Sequence, residues 1–342
     1  MPPRTTIDAM NSRHATAAAL TVRAPARLHL GFIDLDGSMG RRFGSVGLTL
    51  NGLSTVVEIE PSDTLQVTGH DAERAHRYAL DLSTRFDLPP ARITLTDAIP
   101  SHSGLGSGTQ LALAVGVALA RLYGLNLDSR EVANLLDRGA RSGIGIGSFD
   151  NGGFIVDGGR GAIDAPPPII AQMRFPATWR MVLIFDHACS GLHGSAEKEA
   201  FRVLPPYAPG VADRLSRLVL MRALPALAEE DIDLFGAAIN ELQHCVGDYF
   251  SPAQGGRYTS KRVGEVALTL QELGAACIGQ SSWGPTGFAL AASEADAQDM
   301  VRAVRDRYAD AAGLELMICA ARNEGAQWTS RQTSIAAATS RE

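Results

Sequence analysis

The stretch Ile99-Pro100-Ser101-His102-Ser103-Gly104-Leu105-Gly106-Ser107-Gly108-Thr109-Gln110 runs directly into an apolar segment that begins at Leu111. No other feature constrains the fold of the chain as strongly. The apolar segment, read to Leu122, is too long for one strand and rich in alanine and leucine, so it is expected to be a buried helix. Ahead of it, three glycines and four hydroxyl residues make a flexible backbone dense in hydrogen-bond donors. A glycine loop feeding a helix N-terminus presents unpaired N–H groups and the positive end of the helix dipole, which together form a seat for phosphate. A tight turn before a core helix satisfies the same pattern, so the rest of the chain has to decide.

The chain has 342 residues, enough for two domains and a sizeable core. Its formal charge of −6 leaves no basic excess to meet a nucleic-acid backbone, so no nucleic-acid partner is expected. Four cysteines, Cys189, Cys245, Cys277 and Cys319, lie far apart without a close pair, which points to reduced thiols in a cytoplasmic protein and away from a zinc site. No apolar stretch reaches the roughly 18 residues of a membrane span. Residues 1–20 read as a disordered leader and 329–342 as a tail.

In chain order, Val22–Phe32 alternates as a half-buried strand, with Pro25 marking an edge or a strand end. Ser45–Leu50 and Ser54–Glu60 read as a hairpin across Asn51-Gly52. Leu65–Thr68 and Ile93–Thr96 are expected strands on either side of a helix over Asp71–Phe86. Asp128 with Glu131 forms a capping box for a further helix running to about Arg138. A second glycine-rich stretch, Arg141–Gly153, follows it, and Ala165-Pro166-Pro167-Pro168 is the best linker candidate. The expected division is therefore 21–165 and 166–328. The second part should hold strands at Met181–Phe185, Phe288–Leu290 and Leu314–Cys319. It should also hold helices at Ser195–Arg202, Val211–Leu227, Ile232–Gly247, Thr259–Leu273 and Glu294–Tyr308. Strands and helices without regular alternation point to an α+β class in both halves.

Three motifs in this order resemble those of the GHMP kinase superfamily. They are Arg27-Leu28-His29-Leu30, the loop around Gly104-Leu105-Gly106-Ser107, and Gly279 through Gly284-Pro285-Thr286-Gly287-Phe288-Ala289-Leu290. The resemblance spans Thr21 to Cys319. It implies a GHMP-type two-domain fold, with an N-terminal domain like the second domain of ribosomal protein S5, a ferredoxin-like C-terminal domain and an active site between them. The kinase loop usually continues with a second serine, whereas here Gly108-Thr109-Gln110 follows Ser107. The three long strings are more closely similar to a non-kinase branch, the β-ribofuranosylaminobenzene 5′-phosphate synthase family. That branch implies a condensation of phosphoribosyl pyrophosphate with 4-aminobenzoate or 4-hydroxybenzoate, releasing CO2 and pyrophosphate, in methanopterin biosynthesis. An ATP-dependent small-molecule kinase is the alternative. The resemblance also implies Mg2+ and a homodimer.

Within that frame, Ser103, Gly104, Leu105, Gly106, Ser107, Gly108 and Thr109 are the expected phosphate cradle, with Arg141, Ser282 and Gly284 as further binding residues. Asp150, Arg27 and His29 are the expected catalytic residues, and Ser107 and Asp150 the expected magnesium ligands. Arg27 and His29 lie two apart on one strand face. Asp150 could instead be a turn residue, Arg27 a solvated edge arginine and His29 a satisfied histidine. Arg41, Arg42, His187 and His193 are secondary candidates. Trp283 could stack on an aryl ring or plug the interior.

Overall fold

The computed structural model describes residues 18–331, apart from 164, 192–193 and 310–311. In the first part the elements are β1 (Ala19–Asp34), β2 (Phe43–Pro61), β3 (Gln66–Gly69), α1 (Ala72–Phe86), β4 (Ala91–Asp97), α2 (Ser107–Leu122), α3 (Ser129–Leu135), α4 (Ile144–Asp150), β5 (Phe154–Asp157) and β6 (Ile169–Met173). The second part holds β7 (Arg180–Asp186), α5 (Gly194–Val203), α6 (Val211–Leu218), a π-helical turn, α7 (Leu224–Ala228), α8 (Ile232–Gln254), α9 (Lys261–Glu272), β8 (Cys277–Gln280), β9 (Gly287–Ala291), α10 (Glu294–Arg307), β10 (Leu314–Ala320) and β11 (Gln327–Arg331).

Two sheets organise the molecule. The larger runs β11-β1-β2-β4-β3, with β5 and β6 joined through β2, and the smaller runs β10-β7-β9-β8. All pairings are antiparallel except β3 with β4. Strand β7 shows why two layers of core are needed. Met181, Leu183 and Phe185 enter a core shared with Leu28, Leu30 and Leu48 of the large sheet, while Val182 and Ile184 enter a second core beneath α9 and α10. This period-2 split lets one strand hold two layers together.

Helix α2 packs into a third core with α1, α3 and β4, and nearly every residue of it is buried. It starts at Ser107, four residues earlier than the apolar pattern indicates, so the last glycine of the loop belongs to its first turn. The capping box at Asp128 and Glu131 is present in both directions.

Several expectations are corrected. Asn51-Gly52 is not a hairpin turn, because β2 is one 19-residue strand whose two halves both pair with β1. The pairing jumps from Pro25↔Ser54 to Arg27↔Thr49, so residues 50–53 form a bulge where a turn was expected, with Asn51 and Gly52 exposed and Leu50 still in the core. Pro25 therefore sits inside a central strand, at that bulge, where a missing N–H costs least. The prolines at 166 and 167 are buried, and β6 beyond them pairs with β5, so this segment is a loop of the large sheet and not a linker. The chain also returns to that sheet at its far end, where Gln327–Arg331 pairs with Ala19–Arg23. Strand pairing is thus present within both the expected leader and the expected tail.

Candidate active site

The site forms where the loop between β4 and α2 meets β1 and the β8–β9 turn. Gly104 has φ +81° and Gly106 has φ +86°, a region that only glycine enters without strain. Their placement also needs the missing side chain. Gly104 rests on the backbone of Ser281 and Gly284, and a Cβ on Gly106 would lie 3.2 Å from the Arg27 side chain. The loop is held on three sides. Arg27 N–H donates to Leu105 O, Arg27 Nη1 donates to Gly104 O at 2.6 Å, and Ser281 Oγ donates to Gly104 O at 2.7 Å. Leu105 itself is wholly buried, so it serves the core with its side chain. Ser103 Oγ donates back to Pro100 O and shapes the loop.

Beneath the loop, Arg27 and His29 share a face of β1, as their spacing requires. His29 is buried, 2% exposed, with its ring 4.5 Å from that of Phe32, and Arg27 is half-buried with its Nε out of reach of solvent. Among the described residues neither ring nitrogen of His29 has a hydrogen-bond partner, nor does Arg27 Nε, nor Oγ1 of Thr49, which sits directly opposite Arg27 on β2. Orphaned buried polar atoms cost about 1–3 kcal/mol each, so such a cluster indicates a place for a polar ligand. Burial, reinforced by the Arg27 charge, pushes the His29 pKa down to about 3, so the imidazole is neutral at physiological pH. Burial also lowers Arg27, to about 10, while the Glu197 charge opposes that shift, and the guanidinium stays charged.

Helix α5 packs beside these residues, with Phe201 edge-on to Phe32. Its Glu197 forms an ion pair of 3.1 Å with Arg141, and its Phe201 lies 4.9 Å beneath the Arg141 guanidinium. Phe201 also meets Trp283, which packs against Phe250 and is buried. Trp283 is thus an interior plug and presents no open face for an aryl ring. Ser282 and Gly284 shape the β8–β9 turn: Ser282 N–H donates to His29 O, and a Cβ on Gly284 would meet the Gln280 carboxamide at 2.7 Å.

The structure does not bring Asp150 to the loop. The glycine-rich stretch expected to be a loop is instead helix α4, and the residue on it that faces α2 is Gly145, where a Cβ would sit 2.8 Å from Thr109 Cγ2. Asp150 stands five residues further on, about 7.5 Å along the axis. There its carboxylate accepts from Ser129 Oγ at 2.8 Å, and burial raises its pKa. Nor does Asp150 join Ser107, which is 8% exposed, in a magnesium site. Among the described residues no group of three or more His, Cys, Asp or Glu could hold a metal ion. The buried carboxylate of this region is Asp157, which accepts from Ser45, Ser142, Gly143 and Gly159 and fastens the stretch before α4 to β5.

The secondary candidates lie elsewhere. Arg41 donates to Gly158 O and Gly159 O and ties two loops together, and the Arg42 guanidinium lies over the Phe43 ring. His187 is exposed and bonded to Glu315 at 2.8 Å, at the rim of a cavity of about 260 Å3 on the other side of Pro100–Ser103. His193 lies outside the described residues. Four participants were missed in the sequence: Glu197 and Ser281, and the pair Arg74 and Arg138 beside Gly108. Arg74 stands four residues before Tyr78 on α1, and that shared face was the available signal.

Models of the GHMP kinases N terminal domain and the GHMP kinases C terminal region match residues 72–159 and 223–310. The chain is 35% identical to a beta-ribofuranosylphenol 5′-phosphate synthase of Archaeoglobus fulgidus over 90% of this chain and 99% of that protein. It is 34% identical to the protein of that name from Methanothermobacter thermautotrophicus, over 79% of this chain and 88% of that one. A homoserine kinase of Methanopyrus kandleri is 29% identical, over 85% of this chain and 93% of the kinase. Among solved structures, mevalonate diphosphate decarboxylase of Enterococcus faecalis superposes with a TM-score of 0.65 at 16% identity, covering 92% of this chain and 100% of that one. Homoserine kinase of Cytophaga hutchinsonii gives 0.62 at 18%, covering 95% and 100%.

Proposed function

The chain belongs to the GHMP kinase superfamily and, within it, to the beta-ribofuranosylphenol 5′-phosphate synthase family, and from that membership we propose that it joins phosphoribosyl pyrophosphate to 4-hydroxybenzoate. The products are the C-riboside 5′-phosphate, CO2 and pyrophosphate, in methanopterin biosynthesis. A phenol in the relatives' name favours the hydroxy acid over 4-aminobenzoate. The working form is a cytoplasmic homodimer, as the family resemblance implies; among the described residues no helix is long and apolar enough to cross a membrane.

The bonds balance as follows. The ribose C1–O bond breaks with its electron pair going to the departing diphosphate. The ring carbon bearing the carboxylate supplies the pair for the new C–C bond. The bond to the carboxylate then breaks, returning its pair to the ring and releasing CO2.

The observation that carries this reading is the pair Arg27 and His29, set beside the loop with buried polar atoms unpartnered among the described residues. Two residues on one strand face stand about 6.8 Å apart, close to the length of a para-substituted benzoate. Arg27, which touches the loop, takes the carboxylate end near the ribose, where its planar fork suits a carboxylate. His29, deeper and neutral, accepts the hydrogen of the para hydroxyl. The aromatic cover of Phe32, Phe201 and Trp283 excludes water, which would otherwise capture the ribosyl cation. The free N–H groups of the first turn of α2 face the diphosphate.

A kinase reading is favoured less, because Gly145 stands where α4 approaches the loop and leaves no carboxylate there to act as a base.

The test is incubation with phosphoribosyl pyrophosphate, Mg2+ and 4-hydroxybenzoate labelled in its carboxyl carbon. Labelled CO2 and pyrophosphate are expected in equal amounts. A folded protein that releases neither, or that consumes ATP with a small alcohol, overturns the proposal.

A further inference from the structure

Gly108, where the superfamily loop usually carries a second serine, opens toward two guanidinium groups. A Cβ there would lie 3.6 Å from Arg74 Nη1 and 3.7 Å from Arg138 Nη1. Each arginine is anchored by its other terminal nitrogen. Arg74 Nη2 pairs with Asp71 and donates to Ser101 Oγ at 3.2 Å, and Arg138 Nη2 donates to Tyr78 OH. Asp71 in turn accepts from Ser101 Oγ at 2.7 Å, so the loop, α1 and the segment after α3 form one connected frame. The Arg74 side chain is only 17% exposed, and Nε of both arginines is buried without a partner among the described residues. Two cations are therefore held in place with Nη1 turned to the first turn of α2.

Like charges are brought together at such cost when an anion is to lie between them. Asp71 offsets one positive charge, which leaves the pair with a net surplus beside the helix N-terminus. Asp150, the acid expected among the magnesium ligands, is instead bonded to Ser129 at the C-terminal end of α4. We propose that Arg74 and Arg138 grip the diphosphate of the donor and neutralise it as it leaves, in place of a metal ion held by protein ligands. This rests on the reading that the chain uses a phosphoribosyl pyrophosphate donor. It adds two donor-contacting residues and assigns the loss of the second serine a purpose: without that side chain, the diphosphate reaches both arginines.

The experiment measures binding of inorganic pyrophosphate to the full chain by calorimetry, in EDTA and in Mg2+, for the wild type, Arg74→Gln, Arg138→Gln and Arg85→Gln. Arg85, paired with Asp81 on the same helix about 16 Å from Arg74, controls for the change in net charge. Wild type and Arg85→Gln are expected to bind pyrophosphate in EDTA. Each of the other two should bind about 10- to 100-fold more weakly, the loss of one charge-assisted contact. Thermal melting confirms that each variant is folded, and Arg74→Lys should recover part of the affinity if Arg74 fails on folding. Binding that requires Mg2+ and is unaltered by Arg74→Gln and Arg138→Gln overturns the proposal. Failure of the labelled-CO2 reaction with pyrophosphate binding intact would instead count against the reaction and leave the arginine seat standing.

Discussion

On one side of the Ser101–Gly108 loop, Arg27 and His29 lie beside α5, with polar atoms that no group among the described residues satisfies. On the other side, Arg74 and Arg138 stand closer to the surface, each fixed by Asp71, Ser101 or Tyr78, with one nitrogen free. The inner side sets unpartnered polar atoms among aromatic side chains and is suited to a neutral or singly charged aromatic acid held away from water. The outer side sets two anchored guanidinium groups against the first turn of α2 and is suited to a highly charged group. A reaction that must expel pyrophosphate yet keep water from the ribosyl cation needs both kinds of surface, separated by one loop.

The largest effect should come from acid. His29 is neutral in the folded state, with its pKa lowered from 6.5 to about 3. A folded pKa below the unfolded one means that its contribution is present in full above pH 6.5 and is lost as pH falls toward 3. At most about 5 kcal/mol is involved. Denaturant melts between pH 7 and 4 should show this loss in the wild type and a flatter profile in His29→Asn. Arg27→Lys comes next: it keeps the charge but not the fork on Gly104, so kcat/KM should fall about 100- to 1000-fold in the labelled-CO2 assay. Gly145→Ala drives a methyl into Thr109, costing about 1–3 kcal/mol in a chemical melt and loosening the start of α2. Asp150→Asn should matter least. The amide can still accept from Ser129, so stability should change by about 1 kcal/mol or less and turnover should hold. A large loss of turnover in Asp150→Asn would undo the division of labour described here.

The loop and its helix were legible because a glycine-rich turn before an apolar run has few other solutions. The shared face of Arg27 and His29 followed from strand periodicity alone. Asp150 was misread because glycine has two uses that look alike in sequence. Gly152 and Gly153 adopt positive φ, but Gly145 and Gly147 are glycine so that α4 can press against Thr109, Ile155 and Ile169. Helical packing put the acid at the wrong end. Arg74 and Arg138 were not singled out in the sequence, since the tertiary approach of α1 and the segment after α3 is what brings them to Gly108. The Asn51-Gly52 signal was local and sound, and was overridden because both flanks pair with the same strand.

The most direct test of two substrates on two sides is a crossed binding measurement. 4-Hydroxybenzoate and pyrophosphate are each titrated into His29→Asn and into Arg74→Gln. The account expects His29→Asn to lose the benzoate and keep pyrophosphate, and Arg74→Gln to do the reverse. If either substitution weakens both ligands equally, or each weakens the other's ligand, the two-sided arrangement is wrong.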